Sequence, residues 1–224
     1  MLREILNLFN RESLLDQAYS DVITMLKEDE EMFAEAIRSL RRLDTAELRF
    51  DFREKDRKIN KFEREVRKKV LTHLSVQQGF DVSAALVITS IVIDVERIGD
   101  YCKNFADLAK MHPKRLSFGK NETEVVDIEQ AIERRFTNTI RSLEDFDVKL
   151  AKTVLDGHTD ITKFCDVMAT KLVTGKVEDL NPGDYAAAAL YIRYLKRIAA
   201  HLSNIASSVV NPFHRIGYKP KEEE

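Results

Sequence analysis

VERIGDYCKNFADLA (residues 95–109) lines up with LKRIAAHLSNIASSV (residues 195–209), and INKFEREVRKKVL (59–71) lines up with ITKFCDVMATKLV (161–173). The offsets are 100 and 102 residues, so both pairs belong to one internal duplication. Each segment keeps its apolar residues at spacings of three and four, the period of an amphipathic helix. The duplication therefore repeats helices, and the unit to look for is one set of helices written twice.

Working outward, Leu15, Ala18, Val22, Met25, Leu26, Phe33, Ile37 and Leu40 predict a first helix over about 11–43. Thr45 is a plausible N-cap for a second, carried by Leu48, Phe52, Ile59, Phe62, Val66 and Val70. Gly79 punctuates before a third helix from about Asp81 to Lys110, which stops ahead of Pro113. A fourth is expected over about 124–155, a fifth over 160–173 and a sixth over 185–210. No period-two run is long enough for a strand. The expected fold is all-α: two tandem three-helix bundles, 11–111 and 123–212, with a linker at 112–122 and a charged tail at 213–224.

The 224 residues suffice for one sizeable core or two small ones, and 44% hydrophobic with 33% charged residues is an ordinary globular balance. A net charge of −2 gives no electrostatic case for nucleic acid. Cys102 and Cys165 form no disulfide framework and fit buried thiols in a reducing compartment. MLREILNLFNRESLL lacks the apolar stretch and cleavage site of a signal peptide, and Ala84–Ile93 is about half the length of a membrane span. A cytoplasmic protein is expected, meeting a membrane only through a partner.

Glu96 and Asp100 are four apart and share one face of the third helix, extending a stripe that is apolar a turn earlier. On the second helix Glu63, Asp56 and Asn60 lie about 40°, 60° and 100° to one flank of Ile59. Two neighbouring helices can thus present oxygen ligands at the border of their core-facing stripes. Such a set suits hard cations, iron or manganese better than zinc. Read from spacing alone, the same acids fit a solvated, salt-bridged face, with Arg57, Arg64 and Arg97 at hand and Lys61, Arg64 and Arg67 around Glu63. Asn104, a turn beyond Asp100, fits a hydrogen bond better than a metal bond.

The segment VERIGDYCKNFADLA, with its ERIGD core, and the upstream EKDRKINKFEREV at 54–66 resemble the two motifs of the PhoU family. The likeness extends over the whole chain in length, repeat and helix count. In that family the paired acidic motifs of each bundle are associated with multinuclear metal clusters. The resemblance therefore implies a metal-capable site at Asp56, Asn60, Glu96 and Asp100, with Glu63 and Asn104 as outer or auxiliary ligands. The ion would be iron, manganese, magnesium or zinc. The second repeat departs from the pattern: His158 and Thr162 replace Asp56 and Asn60, and Lys196 and Ala200 replace Glu96 and Asp100. That repeat is expected to be an empty scaffold, with His158 a surface or capping residue and His201 without an evident partner.

What the resemblance implies for function is a regulatory adaptor of phosphate uptake, not an enzyme. Its partners would be a phosphate transporter component, a phosphate-sensing histidine kinase, or both, and a homodimer is compatible with the helical faces. No Gly-rich phosphate loop or nucleophile–base set is present. A di-metal oxidase would call for Glu-x-x-His pairs, and none of the five histidines has Glu three residues before it. The other readings are a metal-free accessory module of a different phosphate or ion carrier, and a helical-bundle di-metal enzyme.

Overall fold

The computed structural model describes residues 13–76 and 81–220. Helix α1 spans Leu14–Ile37, α2 Phe52–Val76, α3 Val82–Met111, α4 Glu122–Glu144, α5 Val148–Asp156, α6 His158–Val173 and α7 Tyr185–Val210. Among the described residues there is no strand, only an isolated bridge between Thr45 and Lys114. The expectation for Gly79 and most of the N-terminal segment, residues 1–12, fall outside these residues, as does the end of the expected tail, 221–224, while its start carries a 3₁₀ turn at Phe213–Arg215.

Local chemistry sets the helix ends. Ser13 caps α1 in a capping box with Asp16. The first helix closes in a π-turn over Arg38–Arg42, and this wider turn brings the consecutive residues Ser39, Leu40 and Arg41 inward together. Thr45 is not the N-cap of α2, because it is engaged in the bridge to Lys114. Asp51 takes that role, its Oδ1 accepting from the Arg53 N–H at 2.8 Å.

The fourth predicted helix, 124–155, is two helices in the structure. The chain breaks at Phe146, whose φ of 52° is left-handed. Asp147 then caps α5, accepting from the N–H groups of Lys149 and Leu150 at 2.8 and 3.1 Å. Periodicity hid the break, because Phe146 stays on the apolar stripe and stacks on Tyr19 with ring centroids 5.6 Å apart. Helices α5 and α6 are interrupted only by Gly157, whose backbone remains in the right-handed helical region. Together they are the second repeat's counterpart of α2.

Helices α3 and α7 each bury 14 residues, more than any other helix of their repeat. Helix α2 turns a heptad-spaced stripe inward, Phe52, Ile59, Val66 and His73, and leaves its charged flanks outside. Helices α3 and α7 pack against each other, and α1 packs against α4 as well as against α2 and α3. Phe33 meets Phe136 at 5.2 Å, and Phe105 sits edge-on to Tyr191 and Tyr194 at 5.1 and 5.4 Å. One continuous core therefore runs through both repeats. Cys102 and Cys165 are buried and free within it.

The segment 112–122 is stitched into this core. Leu116 and Phe118 are fully buried, and the Leu116 N–H donates to the Leu40 carbonyl at 2.8 Å. At their centre is Arg41, whose Nε and Nη2 donate to Glu129 Oε1 and Glu122 Oε1 at 2.6 and 2.7 Å. Its Nη1 donates to the Leu116 carbonyl, and its guanidinium lies 5.0 Å from the Phe118 ring centroid. Tyr191 completes the group by donating to Glu129 Oε1 at 2.6 Å. Removing one member of a buried pair leaves the other charge uncompensated, a loss of about 3–5 kcal/mol. Arg41→Met should therefore lower the unfolding free energy in urea by roughly that amount. The double variant Arg41→Met/Glu129→Gln should recover part of the loss. Equal stability of wild type and Arg41→Met would show that the pair is not what couples the repeats.

Candidate functional site

The acids singled out from the sequence line the cleft between α2 and α3. Asp56 and Asp100, from different helices, come together on Lys103, whose ammonium donates to Asp56 Oδ1 at 2.9 Å and to Asp100 Oδ1 at 2.8 Å. Partial burial pulls the Lys103 pKa down, but the hydrogen bonds to Asp100 and Asp56 outweigh it and leave the value raised. Asn60 donates from Nδ2 to Asp56 Oδ2 at 3.4 Å. Glu96 is raised above the ordinary carboxylate range, first by desolvation and then by Asp100, with Glu63 and Asp56 adding to the push against the opposing Arg97. Glu63 pairs with Arg67 at 2.8 Å, and Asn104 is half-buried one turn beyond Asp100.

Sequence reasoning missed the deepest member of the cluster. Asp29 on α1 is fully buried, and neither carboxylate oxygen has a hydrogen-bond partner among the described residues. Burial, then the fields of Glu28, Glu96, Asp56 and Asp100, push it well above the usual range. Gly99 makes the approach possible: a Cβ there would stand 2.9 Å from Asp29 Oδ1 and 3.0 Å from Ile59 Cδ1. A signal was present in the sequence, because Asp29 interrupts the apolar stripe between Leu26 and Phe33. An acid on such a stripe is costly unless something compensates it.

As the side chains stand, no three His, Cys, Asp or Glu side chains among the described residues converge closely enough to enclose an ion. Two observations nevertheless fit the cluster to a cation. The orphaned Asp29 lies in the field of four further acids, and an ammonium already bridges two of them. The donor set is all oxygen, as hard cations prefer.

In the second repeat the same positions carry no acids. His158 Nε2 lies 3.4 Å from Thr162 Oγ1, and Lys196 reaches out to the exposed Asp166. His201 does have a partner, contrary to expectation: its Nδ1 is 2.7 Å from Asp94 Oδ1 across the α3–α7 contact, where Asn204 also donates at 3.0 Å. That partner was invisible because it lies in the other repeat.

This fold and site define a duplicated helical-bundle protein with an acidic, cation-compatible cleft in one repeat and none in the other. The PhoU domain family model matches residues 22–109 and again 125–209, and the chain belongs to the PhoU family. It is 26% identical over 205 residues to a phosphate-specific transport system accessory protein PhoU homolog of Pseudomonas putida, covering 90% of this chain and 79% of that one. A protein of the same name from Pseudomonas aeruginosa is also 26% identical, with 90% and 84% covered. The crystal structure of PhoU from Pseudomonas aeruginosa superposes with a TM-score of 0.77 at 26% identity, covering 88% of this chain and 95% of that one. The phosphate transport system regulatory protein PhoU from Streptococcus pneumoniae has a TM-score of 0.72 at 15% identity, covering 88% and 93%, a likeness of fold.

The Asp29 carboxyl gives a direct test. Its folded pKa lies above its unfolded value, so its contribution to stability is complete below the unfolded value and is lost as pH rises through the folded one. In chelator-treated protein, Asp29→Asn should remove this loss. The melting temperature near neutral pH should rise by roughly 2–10 °C, the size expected for relieving an unpaired buried group. The gap between variant and wild type should shrink towards the unfolded carboxyl pKa of about 4. A lower melting temperature for Asp29→Asn at neutral pH would contradict the assignment.

Proposed function

We propose that this chain is a regulatory adaptor of phosphate transport and of phosphate-starvation signalling, acting by binding rather than catalysis. The observation that carries the reading is the match of both repeats to one family whose named relatives are accessory proteins of phosphate-specific transport systems. The adaptor would work at the cytoplasmic face, against a transporter component, a phosphate-sensing histidine kinase, or both. No helix among the described residues is long and apolar enough to cross a membrane, which suits recruitment through a partner.

The first repeat is the regulatory half in this reading. Asp29, Asp56, Glu96 and Asp100 would hold a cation, with Asn60 beside them and Glu63 and Asn104 further out. The ion would supply the positive charge that this acid-rich cleft lacks, and so tie α1, α2 and α3 together. Lys103 competes for the same oxygens, so neutralising it favours the metal.

Elemental analysis of purified protein tests the site. Wild type should carry iron, manganese, magnesium or zinc that is lost in Glu96→Ala/Asp100→Ala, and Lys103→Gln should retain at least as much as wild type. Equal, near-zero metal in all three would remove the cation from the proposal. For the adaptor role, deleting the gene should derepress phosphate-starvation genes or change phosphate accumulation. An unaltered phosphate response would place the protein in another pathway.

A further inference from the structure

Two buried arginines sit in this core, and only one has acids beside it. Burial pulls the Arg41 pKa down, but Glu129 and Glu122 more than reverse the effect. Arg135, on α4 and 5% exposed, has no carboxylate within 4.0 Å among the described residues. Burial lowers its pKa to about 10 and nothing restores it, so it remains a cation at neutral pH. One Nη2 donates to Ser203 Oγ, while Nε is buried without any partner. An uncompensated charge in the interior is a costly arrangement for a chain to keep.

Its position is informative. The buried set Val22, Leu26, Asp29, Met32, Phe33, Ala36, Ile37 of α1 matches Val125, Glu129, Ile132, Arg135, Phe136, Thr139, Ile140 of α4 at a constant offset of 103. Arg135 thus occupies the place of Met32, and Ile132 that of Asp29. The repeat offsets put His158, Thr162, Cys165, Lys196, Ala200 and Ser203 where the first repeat has Asp56, Asn60, Glu63, Glu96, Asp100 and Lys103. Every acid of the first cluster has a neutral or basic counterpart.

Short distances link Arg135, His158, Thr162 and Ser203, while Lys196 is turned outward to Asp166. Arg135 Nη1 lies 3.3 Å from where a Cβ on Gly157 would stand, next to His158. His158 Nδ1 is, like Arg135 Nε, buried and unpartnered among the described residues. Lys196, Ala200 and Ser203 fall at i, i+4 and i+7, on one face of α7. Burial holds His158 below its ordinary range, and the fields of Arg135, Lys196 and Lys219 add to this, as expected where positive charge is concentrated. Asp166, the partner of Lys196, is exposed, so that ammonium can turn inward.

We propose that the second repeat holds an oxyanion of the phosphate class, bound by Arg135 from below, by Lys196 and His158 at the rim, and by the Thr162 hydroxyl, while Ser203, which donates to the Ala199 carbonyl, orients Arg135. A guanidinium fork with lysine and hydroxyl donors is the chemistry that recognises tetrahedral oxyanions. The site is independent of metal in the first repeat, and it reverses the expectation that the second repeat is an empty scaffold.

The test is inorganic phosphate titrated into chelator-treated, full-length protein at constant ionic strength, followed by calorimetry and by melting temperature. Phosphate should bind saturably and stabilise the protein. Sulfate doing the same would support the oxyanion class. Arg135→Met, the residue of the first repeat, should melt higher than wild type without phosphate and bind phosphate at least about tenfold more weakly. His158→Gln/Lys196→Gln, at the open rim, should also weaken binding, and it carries the test if Arg135→Met does not fold. Glu96→Ala/Asp100→Ala should leave phosphate binding unchanged, so metal loss and anion loss are read separately. The proposal is overturned if neither oxyanion binds wild type, if chloride stabilises equally, or if the Arg135 and rim variants bind like wild type.

Discussion

The guanidinium of Arg41 is the constraint on which the arrangement of the two repeats rests. It leaves the last turn of α1, enters the core and bonds Glu129 and Glu122 of α4 as well as the Leu116 carbonyl of the connecting segment. Tyr191 of α7 closes the group from the far side. Apolar packing alone would let two similar three-helix units slide against each other, since it is non-directional. A buried charge with fixed acceptors tolerates one register. The connecting segment, with Leu116 and Phe118 packed around this arginine, is consequently part of the core.

Given that register, the duplication has kept its apolar stripes and exchanged its polar residues. The first repeat gathers Asp29, Asp56, Glu96 and Asp100, with Lys103 bridging Asp56 and Asp100 and Arg97 standing 3.6 Å from Glu96 and 3.5 Å from Asp100. The second buries Arg135 beside Ser203, sets His158 beside Thr162, and holds Lys196 outward on the exposed Asp166. Neither set is satisfied by the protein alone. The unpartnered atoms record this on both sides: the two oxygens of Asp29, and Nε of Arg135 with Nδ1 of His158. Buried polar groups are hydrogen-bonded in the great majority of cases, and these orphans, beside those of Ser39, Thr139 and Arg215, are the observations on which the two proposed ligands rest.

Much of this was legible in the sequence, for reasons that individual residues make clear. Helix identity follows from periodicity, and the repeat from INKF/ITKF and the paired ERIGD-region segments. The pairing of Asp56 with Asp100 across two helices was accessible from their place on the stripe borders. What periodicity cannot supply is a change of backbone that keeps the stripe intact. Phe146 turns left-handed and still points into the core, so the break before α5 leaves no trace in the pattern. Partners far apart in sequence are equally hidden: Asp94 for His201, and Glu129 for Arg41. Asp29 and Arg135 were readable in principle, as charges on apolar stripes, but each sits in a helix whose other residues explain its amphipathicity without them.

The two repeats also meet at the contact of α3 with α7. Helix α3 carries Glu96 and Asp100 on one side and presents Asp94 and Tyr101 to α7 on another. Helix α7 carries Lys196 and Ser203 on one side and presents His201, Arg197 and Tyr194 to α3 on another. The close-packed core around Phe105 and Tyr191 holds α3 and α7 in one fixed arrangement. Opposite charges thus sit on the two outer sides of one rigid helix pair, linked by a common scaffold and by long-range electrostatics. Screening at physiological ionic strength would quench the latter beyond about 8 Å.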